Sequence, residues 1–223
     1  MTGADVTDSL GHARPQLDGL APLARRVAAL DPGGVLRIRL TSSAAAAYAR
    51  LPFAVLVGRT VRVSWNGRLL DFAVRARELT SWIDGESTGP PARCDAEWRG
   101  ALPPLTGWQR VERVPDAVVR DVVRNGASTF REAAGHEGVF EGRRVQPPSE
   151  VGDALLDSVV LTATQGGLRA EVTLRTISSL TRMGFLPHDS HVAIDVCGRW
   201  SRVAAEYGSV YAERPGMALG IVS

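Results

Sequence analysis

An internal repeat is the feature of this sequence that most restricts how the chain can fold. Three ordered blocks match later blocks at a nearly constant offset: 36–41 with 168–173, 51–53 with 183–185, and 61–68 with 192–199. The matching blocks keep their order and their polarity. Self-similarity of this kind indicates two related structural units.

The first unit begins with the pattern of a half-buried strand. Leu36, Ile38 and Leu40 alternate with arginines, and this period of two predicts one buried face and one solvated face. The alanine-rich residues 44–50 favour a helix. Pro52 is expected to end that helix, because proline cannot continue it.

A hairpin completes the predicted unit. Residues 61–65 alternate again, and Asn66 and Gly67 form a strong turn signal because both residues tolerate positive φ. Residues 69–76 are then predicted as the return strand. The second copy is predicted with the same elements in the same order: helix 173–183, strand 192–196, turn 197–198 and return strand 199–205. Each unit is therefore predicted as β-α-β-β.

The predicted fold class is α+β, with two pseudo-symmetric β-α-β-β repeats and covering helices at residues 19–30 and 115–134. Residues 159–161 are predicted as a strand that forms a hairpin with the start of the second copy. The sequence suggests five segments: a flexible N-terminal segment (1–18), the first repeat unit (19–83), a Gly/Pro/Trp-rich connection (84–114), a helical segment with the second repeat unit (115–213), and a tail (214–223).

Composition excludes some classes of function. The formal net charge is only +2, although all 26 basic residues are arginine, so a nucleic-acid partner is possible but not favoured. No apolar run reaches the roughly 18 residues of a membrane-spanning helix, and a membrane partner is not expected. The polar N-terminus does not resemble an export signal, and the two cysteines are not in a paired motif. We therefore expect a cytoplasmic protein without a cofactor.

Part of the chain resembles a known family. The likeness lies mainly in residues 98–213, in four stretches: 108–134, 154–157, 180–187 and 198–211. These stretches resemble a family of uncharacterised actinobacterial proteins. Since that family has no assigned activity, the resemblance implies no catalytic or binding residue. It agrees with the absence of lysine as a bias of genome composition.

An arginine-bearing strand face is the first candidate site. If the apolar residues of 36–40 point inward, Arg37 and Arg39 point outward, and Arg62 is expected on the same face. Such a stripe could bind phosphate groups or an acidic partner through its fork-shaped donors. The alternative is a solvated sheet face whose arginines pair with nearby acids. In the second copy this face is mixed in sign, with Arg169, Glu171, Ala193 and Asp195.

A polar cluster before the last predicted strands is the second candidate site. His188, His191 and Cys197 carry two imidazoles and a thiol, a set that could bind zinc or another transition metal. The alternative is a solvated turn before a strand. A nucleophile–base pair is a third hypothesis, formed by one of Cys94, Ser201 and Ser209 with His136 or His188.

Three classes of function follow from these patterns. The favoured hypothesis is a non-catalytic binding or scaffolding protein that acts through protein–protein contacts, with a protein partner or self-association, because no catalytic motif occurs. The second is a nucleic-acid or phosphate binder that uses the three arginines. The third is a metal-dependent enzyme centred on His188 and His191.

Overall fold

The computed structural model describes residues 11–67, 69–136 and 149–213. The chain divides into two units, Met1–Leu102 and Pro103–Ser223. Both units combine helices with antiparallel strands, which confirms the α+β class. The predicted tail and the first ten residues of the predicted N-terminal segment lie outside the described residues. No helix of the described residues is long and apolar enough to cross a membrane.

Unit 1 has a four-stranded sheet in the order β4-β1-β2-β3. Its described elements are α1 (residues 11–17), a 3-10 turn (Asp18–Leu20), α2 (Ala21–Leu30), β1 (Val35–Leu40), β2 (Ala44–Leu51), β3 (Val55–Arg62), β4 (Leu70–Arg75), α3 (Ala76–Ile83) and a second 3-10 turn (Asp95–Glu97). Helix α2 confirms the first predicted covering helix. The core of this unit consists of Leu23 and Val27 of α2, Leu79 and Trp82 of α3, and the buried apolar face of β1.

The helix predicted over residues 44–50 is wrong, because these residues form strand β2. β2 pairs with β1 on one side and with β3 on the other. Ala45, Ala47 and Ala49 are fully buried. Alanine favours helices when local preference decides, but a central strand between two partners is decided by tertiary packing. The expected helix end at Leu51–Phe53 is instead a hairpin turn, in which Ala54 adopts φ 60°.

The hairpin predicted at Asn66 and Gly67 is also wrong. β3 pairs with β2 and β4 pairs with β1, so the chain crosses between two edges of the four-stranded sheet at this point. Gly67 is not among the glycines with positive φ. The two-residue turn that would have required positive φ does not form.

Unit 2 has a four-stranded sheet in the order β10-β9-β8-β5 and a separate hairpin of β6 and β7. Its described elements are β5 (Gln109–Pro115), α4 (Asp116–His136), α5 (Ser149–Asp157), β6 (Val159–Gln165), β7 (Leu168–Thr173), α6 (Leu174–Arg182), β8 (His191–Cys197), β9 (Trp200–Ala205) and β10 (Gly208–Glu213). The hairpin packs against β5 and β8, and α6 packs against β9 and β10.

Local signals predict unit 2 better than unit 1. The predicted helix 173–183, strand 192–196 and return strand 199–205 correspond to α6, β8 and β9, and the second covering helix is α4. The turns at Gly166–Gly167 and at Gly198 use glycines with positive φ. β5 and β10 were not predicted as strands, and most of residues 84–107 is irregular, as expected.

The residue-by-residue repeat alignment does not survive in the structure. The aligned residues 36–41 and 168–173 lie in β1 and β7, but β1 is followed by a strand and β7 by a helix. Of the aligned residues 61–68, the described residues 61–67 run from the end of β3 into an irregular segment, whereas 192–199 cover most of β8. The element order that recurs is a helix followed by three antiparallel strands, α2-β1-β2-β3 and α6-β8-β9-β10.

Candidate functional site

Two of the three arginines predicted to form an anion-binding face pair with carboxylates. Arg37 Nε donates to Asp71 Oδ1 at 2.5 Å, and its Nη1 donates to Asp95 Oδ1 at 2.9 Å. Arg39 Nε lies 3.7 Å from Asp71 Oδ2, because Arg39 and Asp71 are direct neighbours on β1 and β4. These four residues, called here the Arg37 cluster, carry balanced charge.

Arg62 lies on the same face but outside the Arg37 cluster. The register pairs Arg39 with Ala46 and Ala46 with Thr60, so Arg62, two residues further along β3, shares the face of Arg39. β3 is two strands away from β1, a separation of about 10 Å. The structure therefore places the three arginines on one face, as predicted, while Arg37 and Arg39 pair with acids.

Asp95 pins the connecting segment to the outer edge of β4. Its Oδ1 accepts the Ala73 N–H at 2.7 Å, and Arg93 Nε donates to its Oδ2 at 2.8 Å. The Cys94 N–H donates to the Ala73 carbonyl at 2.8 Å. The outward N–H and C=O groups of Ala73 thus both have partners within unit 1, and the middle of this edge is closed to a further strand.

Replacing Asp95 by alanine is expected to release the segment around it. The free energy of unfolding should fall by about 1 kcal/mol, because the variant loses the charge-assisted hydrogen bond from the Ala73 N–H. The loss stays small because the site is partly exposed, so water can take the place of the carboxylate. Limited proteolysis should cut residues 91–102 several times faster than in the parent protein. Glu86→Ala, in the same connection, is the matched control, and equal cleavage of both variants would contradict the role of Asp95.

Unit 2 holds a buried carboxylate on strand β8. Asp195 is only 2% exposed and lies between two arginines on neighbouring strands. Arg110 Nε donates to Oδ1 at 2.6 Å, and Arg202 donates to Oδ2 from Nε at 3.0 Å and from Nη2 at 2.6 Å. Burying a carboxylate strongly destabilises the fold unless its oxygens accept hydrogen bonds from paired cations, as they do here.

Aromatic rings complete this arrangement, which is called the Asp195 cluster (Arg110, Asp195, Arg202, Trp108 and Tyr211). The guanidinium of Arg202 lies 4.3 Å from the centroid of Trp108, within range of a cation–π contact. Trp108 and Tyr211 meet at 5.8 Å and 52°. Burial raises the pKa of the Tyr211 hydroxyl. Arg110, Asp195, Arg202 and Tyr211 form one row across the four strands.

The Asp195 cluster fastens the beginning of unit 2 to its sheet. Trp108 Nε1 donates to the Pro104 carbonyl at 2.9 Å, and the Cys197 thiol lies 3.8 Å from the Thr106 carbonyl as a weak donor. Residues 104–108 therefore lie over the row. The sequence pattern places Asp195 only on a face of mixed charge and does not predict the cluster, because strand register, not spacing along the chain, brings its members together.

The structure does not bring the predicted metal ligands together. Among the described residues, no group of three or more His, Cys, Asp and Glu side chains is placed to hold a metal ion. His191 and Cys197 stand at opposite ends of β8, about 20 Å apart at the rise of a strand. His188 and His191 are both exposed. The Cys197 thiol lies near the Thr106 carbonyl, as described above.

An arginine orders the turn that carries these histidines. Arg120 Nη2 donates to the carbonyls of Leu186 and Pro187 at 2.9 and 3.1 Å, and Arg120 Nε pairs with Asp116 at 3.1 Å. The hydrogen bond from Arg120 holds the pKa of the Asp116 carboxyl below its usual range. The turn, which connects α6 with β8, is therefore held against α4, with the histidines at its surface.

Replacing both histidines by alanine is expected to change little. The His188→Ala/His191→Ala variant should melt within about 2 °C of the parent protein, as is usual for surface substitutions. Zinc titration by calorimetry should give the same result for both proteins. One zinc ion per chain in the parent, lost in the variant, would contradict this prediction and restore the metal hypothesis.

The environment of Cys94 disfavours a reactive thiol. Burial is the largest of the influences that raise the pKa of the Cys94 thiol, with the nearby Glu97 carboxylate adding to it. A nucleophilic cysteine requires the opposite shift, because the thiolate is the reactive form. His136, one of the predicted bases, ends helix α4. The nucleophile–base hypothesis gains no support from this thiol.

Comparison with solved structures identifies the type of fold. The chain is similar to a DNA polymerase sliding clamp from Bacillus subtilis (9% identity, TM-score 0.54), covering 87% of this chain and 62% of that one. It is also similar to the DNA polymerase III subunit beta from Pseudomonas aeruginosa (12% identity, TM-score 0.53), with coverage of 87% and 62%. The chain thus spans about three fifths of these proteins. At such identities the likeness shows the fold alone, which is that of sliding clamps.

Family comparison agrees with the division into two units. Residues 103–217 match Domain of unknown function (DUF8185), and the chain belongs to this family. Residues 8–100 match a second family, Domain of unknown function (DUF8010). No curated protein sequence matches the chain.

Proposed function

We propose that the chain is a non-catalytic binding or scaffolding protein that acts through contacts with a protein partner. The observation that carries the proposal is the similarity to sliding clamps over 87% of the chain. The names of those proteins describe them as clamps and as a subunit of DNA polymerase III, which are parts of an assembly. A DNA polymerase subunit is therefore the first protein partner to test.

The charged clusters support a scaffolding role over a ligand-binding role. In the Arg37 cluster, two arginines face two aspartates, and Asp95 also holds backbone. In the Asp195 cluster, one buried carboxylate engages both arginines. An arginine that binds phosphate must exchange its present partner for the ligand, which lowers the affinity gained. These clusters are better suited to holding a fixed surface.

Affinity capture under two conditions tests the proposal. The tagged full chain is cross-linked in cells of its source organism and recovered with and without nuclease treatment. We expect a protein partner in near-stoichiometric amount that persists after nuclease, and binding of that purified partner to the purified chain. Recovery of nucleic acid alone, with affinity for duplex DNA at about 50 mM salt that falls steeply as salt rises, would favour the arginine-mediated alternative and contradict the proposal.

We also propose that the recurring helix–three-strand order records a duplication. The two copies would be residues 21–62 and 174–213, each a helix followed by three antiparallel strands. The shared topology supports this proposal, although the sequence blocks that first suggested a repeat fall on different elements. Superposition of the two backbone segments tests it, and a poor fit of the strands with the helices aligned would contradict it.

A further inference from the structure

The chain has two asparagines, and a glycine follows each of them. Asn66 precedes Gly67, and Asn125 precedes Gly126. Because glycine has no side chain, it leaves the backbone nitrogen after the asparagine sterically open to the asparagine side chain. That nitrogen can attack the side-chain amide carbon when the local backbone is free to bend and the N–H is not held in a hydrogen bond. Since the two pairs share this sequence, the structure around each pair decides whether it reacts.

Asn66 and Gly67 lie in the irregular segment between β3 and β4. The Trp65 N–H, just before them, donates to the Ser42 carbonyl at 3.0 Å, and β4 begins at Leu70. Both Asn66 and Gly67 are exposed. Within the described part of the chain, no hydrogen bond involves the Asn66 side chain or the Gly67 N–H. The two groups that would react are therefore not held in place by such bonds.

The indole of Trp65 explains why glycine stands at position 67. A Cβ atom added at Gly67 would fall within the ring, with Trp65 Cζ2 and Cε2 as its nearest neighbours. A larger residue at this position would have to displace the indole. The packing of Trp65 therefore requires the residue that makes Asn66 reactive.

The second pair lies inside helix α4 and is held there. Helical geometry ties the Gly126 N–H to the carbonyl four residues earlier. Thr129 Oγ1 donates to the Asn125 carbonyl at 3.1 Å. A Cβ atom at Gly126 would lie 2.7 Å from Leu174 Cδ1, so α4 packs closely against α6 at this point. Although Asn125 is exposed, attack on its side chain requires the helix to open.

We propose that Asn66 is a site of spontaneous deamidation and that the fold protects Asn125 from the same reaction. The Gly67 nitrogen gives up its proton and bonds to Asn66 Cγ, while the bond from Cγ to the side-chain nitrogen breaks and ammonia leaves with that proton. Water then adds to either carbonyl carbon of the resulting succinimide ring, which opens to aspartate or isoaspartate. Nothing is oxidised or reduced, and water is the co-reactant. The inference goes beyond the proposed function and does not depend on it.

The reaction changes both charge and backbone in the segment between β3 and β4. Either product is a carboxylic acid that is ionised at neutral pH, so it lowers the formal net charge from its value of +2. Isoaspartate also inserts a methylene carbon into the main chain, since the chain then runs through Cγ. The modified protein is therefore more acidic on ion exchange, and its two products differ in backbone length.

Peptide mapping of the aged protein tests the proposal. The purified full chain is kept at mildly alkaline pH and physiological temperature, and samples are digested and analysed by mass spectrometry with separation of aspartate from isoaspartate peptides. Asn66 should deamidate at least about tenfold faster than Asn125, because a packed helix is rarely open. Asn66→Gln is the matched control, since its longer side chain would have to close a less favourable ring. This variant should lose the acidic form of the parent protein.

The same measurement in denaturant separates the effect of the fold from that of the sequence. In the unfolded chain Asn66 and Asn125 should deamidate at similar rates, because glycine follows both. Circular dichroism confirms that the native sample stays folded throughout. Equal rates in the folded protein, or a faster reaction at Asn125, would overturn the inference. A tenfold preference for Asn66 that persists in denaturant would also overturn it, because the fold would not be its cause.

Discussion

The Asp195→Ala variant should lose about 3 kcal/mol of unfolding free energy, the lower end of the cost of breaking a buried ion pair. Asp195 is 2% exposed, so the variant leaves Arg202, which is 22% exposed, without its carboxylate partner inside the cluster. The Arg110 side chain is 53% exposed, so water can solvate its guanidinium in the variant. The expected loss of unfolding free energy is therefore at the lower end of the range for buried ion pairs. Chemical denaturation followed by circular dichroism measures the change.

A surface ion pair of the same unit provides the control for Asp195. Arg169 and Glu171 pair at 2.6 Å with 65% and 45% of their side chains exposed. Glu171→Gln should therefore change the unfolding free energy by less than about 0.5 kcal/mol. Tryptophan fluorescence gives a second readout, because Trp108 rests on Arg202 and its environment should change with Asp195→Ala. Equal stability of the two variants would show that the cluster is not a structural element.

The sequence predicts the elements of this chain correctly where local conformational preference, and not tertiary packing, determines the structure. The turn glycines of unit 2 adopt the positive φ that their position suggests, and the hairpin of β6 with β7 forms as predicted. In unit 1 the alanines of β2 have a local preference for helix, yet two flanking strands and full burial decide otherwise. Asn66 and Gly67 give a turn signal, but β4 finds its partner in β1.

The candidate sites show the same limit. Alternation along β1 correctly predicts that Arg37 and Arg39 share a face, but their partners Asp71 and Asp95 come from β4 and the connecting segment. Asp195 is assigned by the sequence to a solvated face of mixed charge, and its burial between two arginines is not predicted, because these arginines lie on β5 and β9. The use of Arg37, Arg39 and Arg62 as an anion site stays a prediction, as does the resemblance to actinobacterial proteins.

The second large effect is expected from Gly208→Val. A Cβ atom at Gly208 would lie 2.6 Å from Phe185 Cε1 and 2.7 Å from two other ring atoms, inside any normal contact distance. Phe185 is 3% exposed, and its carbonyl accepts the Tyr207 N–H at 3.1 Å, so neither the ring nor the adjacent backbone has room to withdraw. Overpacking at such a site should cost about 3 kcal/mol of unfolding free energy.

Two variants separate this steric effect from a general effect of replacing glycine. Gly89, at which an added Cβ meets nothing within 4 Å, is the matched control, and Gly89→Val should leave the melting temperature nearly unchanged. Adding Phe185→Leu to Gly208→Val should recover part of the loss, because the smaller side chain makes room for the new methyl groups. Stability of Gly208→Val equal to that of Gly89→Val would contradict the close packing of β10 against Phe185. Failure of Phe185→Leu to recover stability would place the strain in the backbone instead.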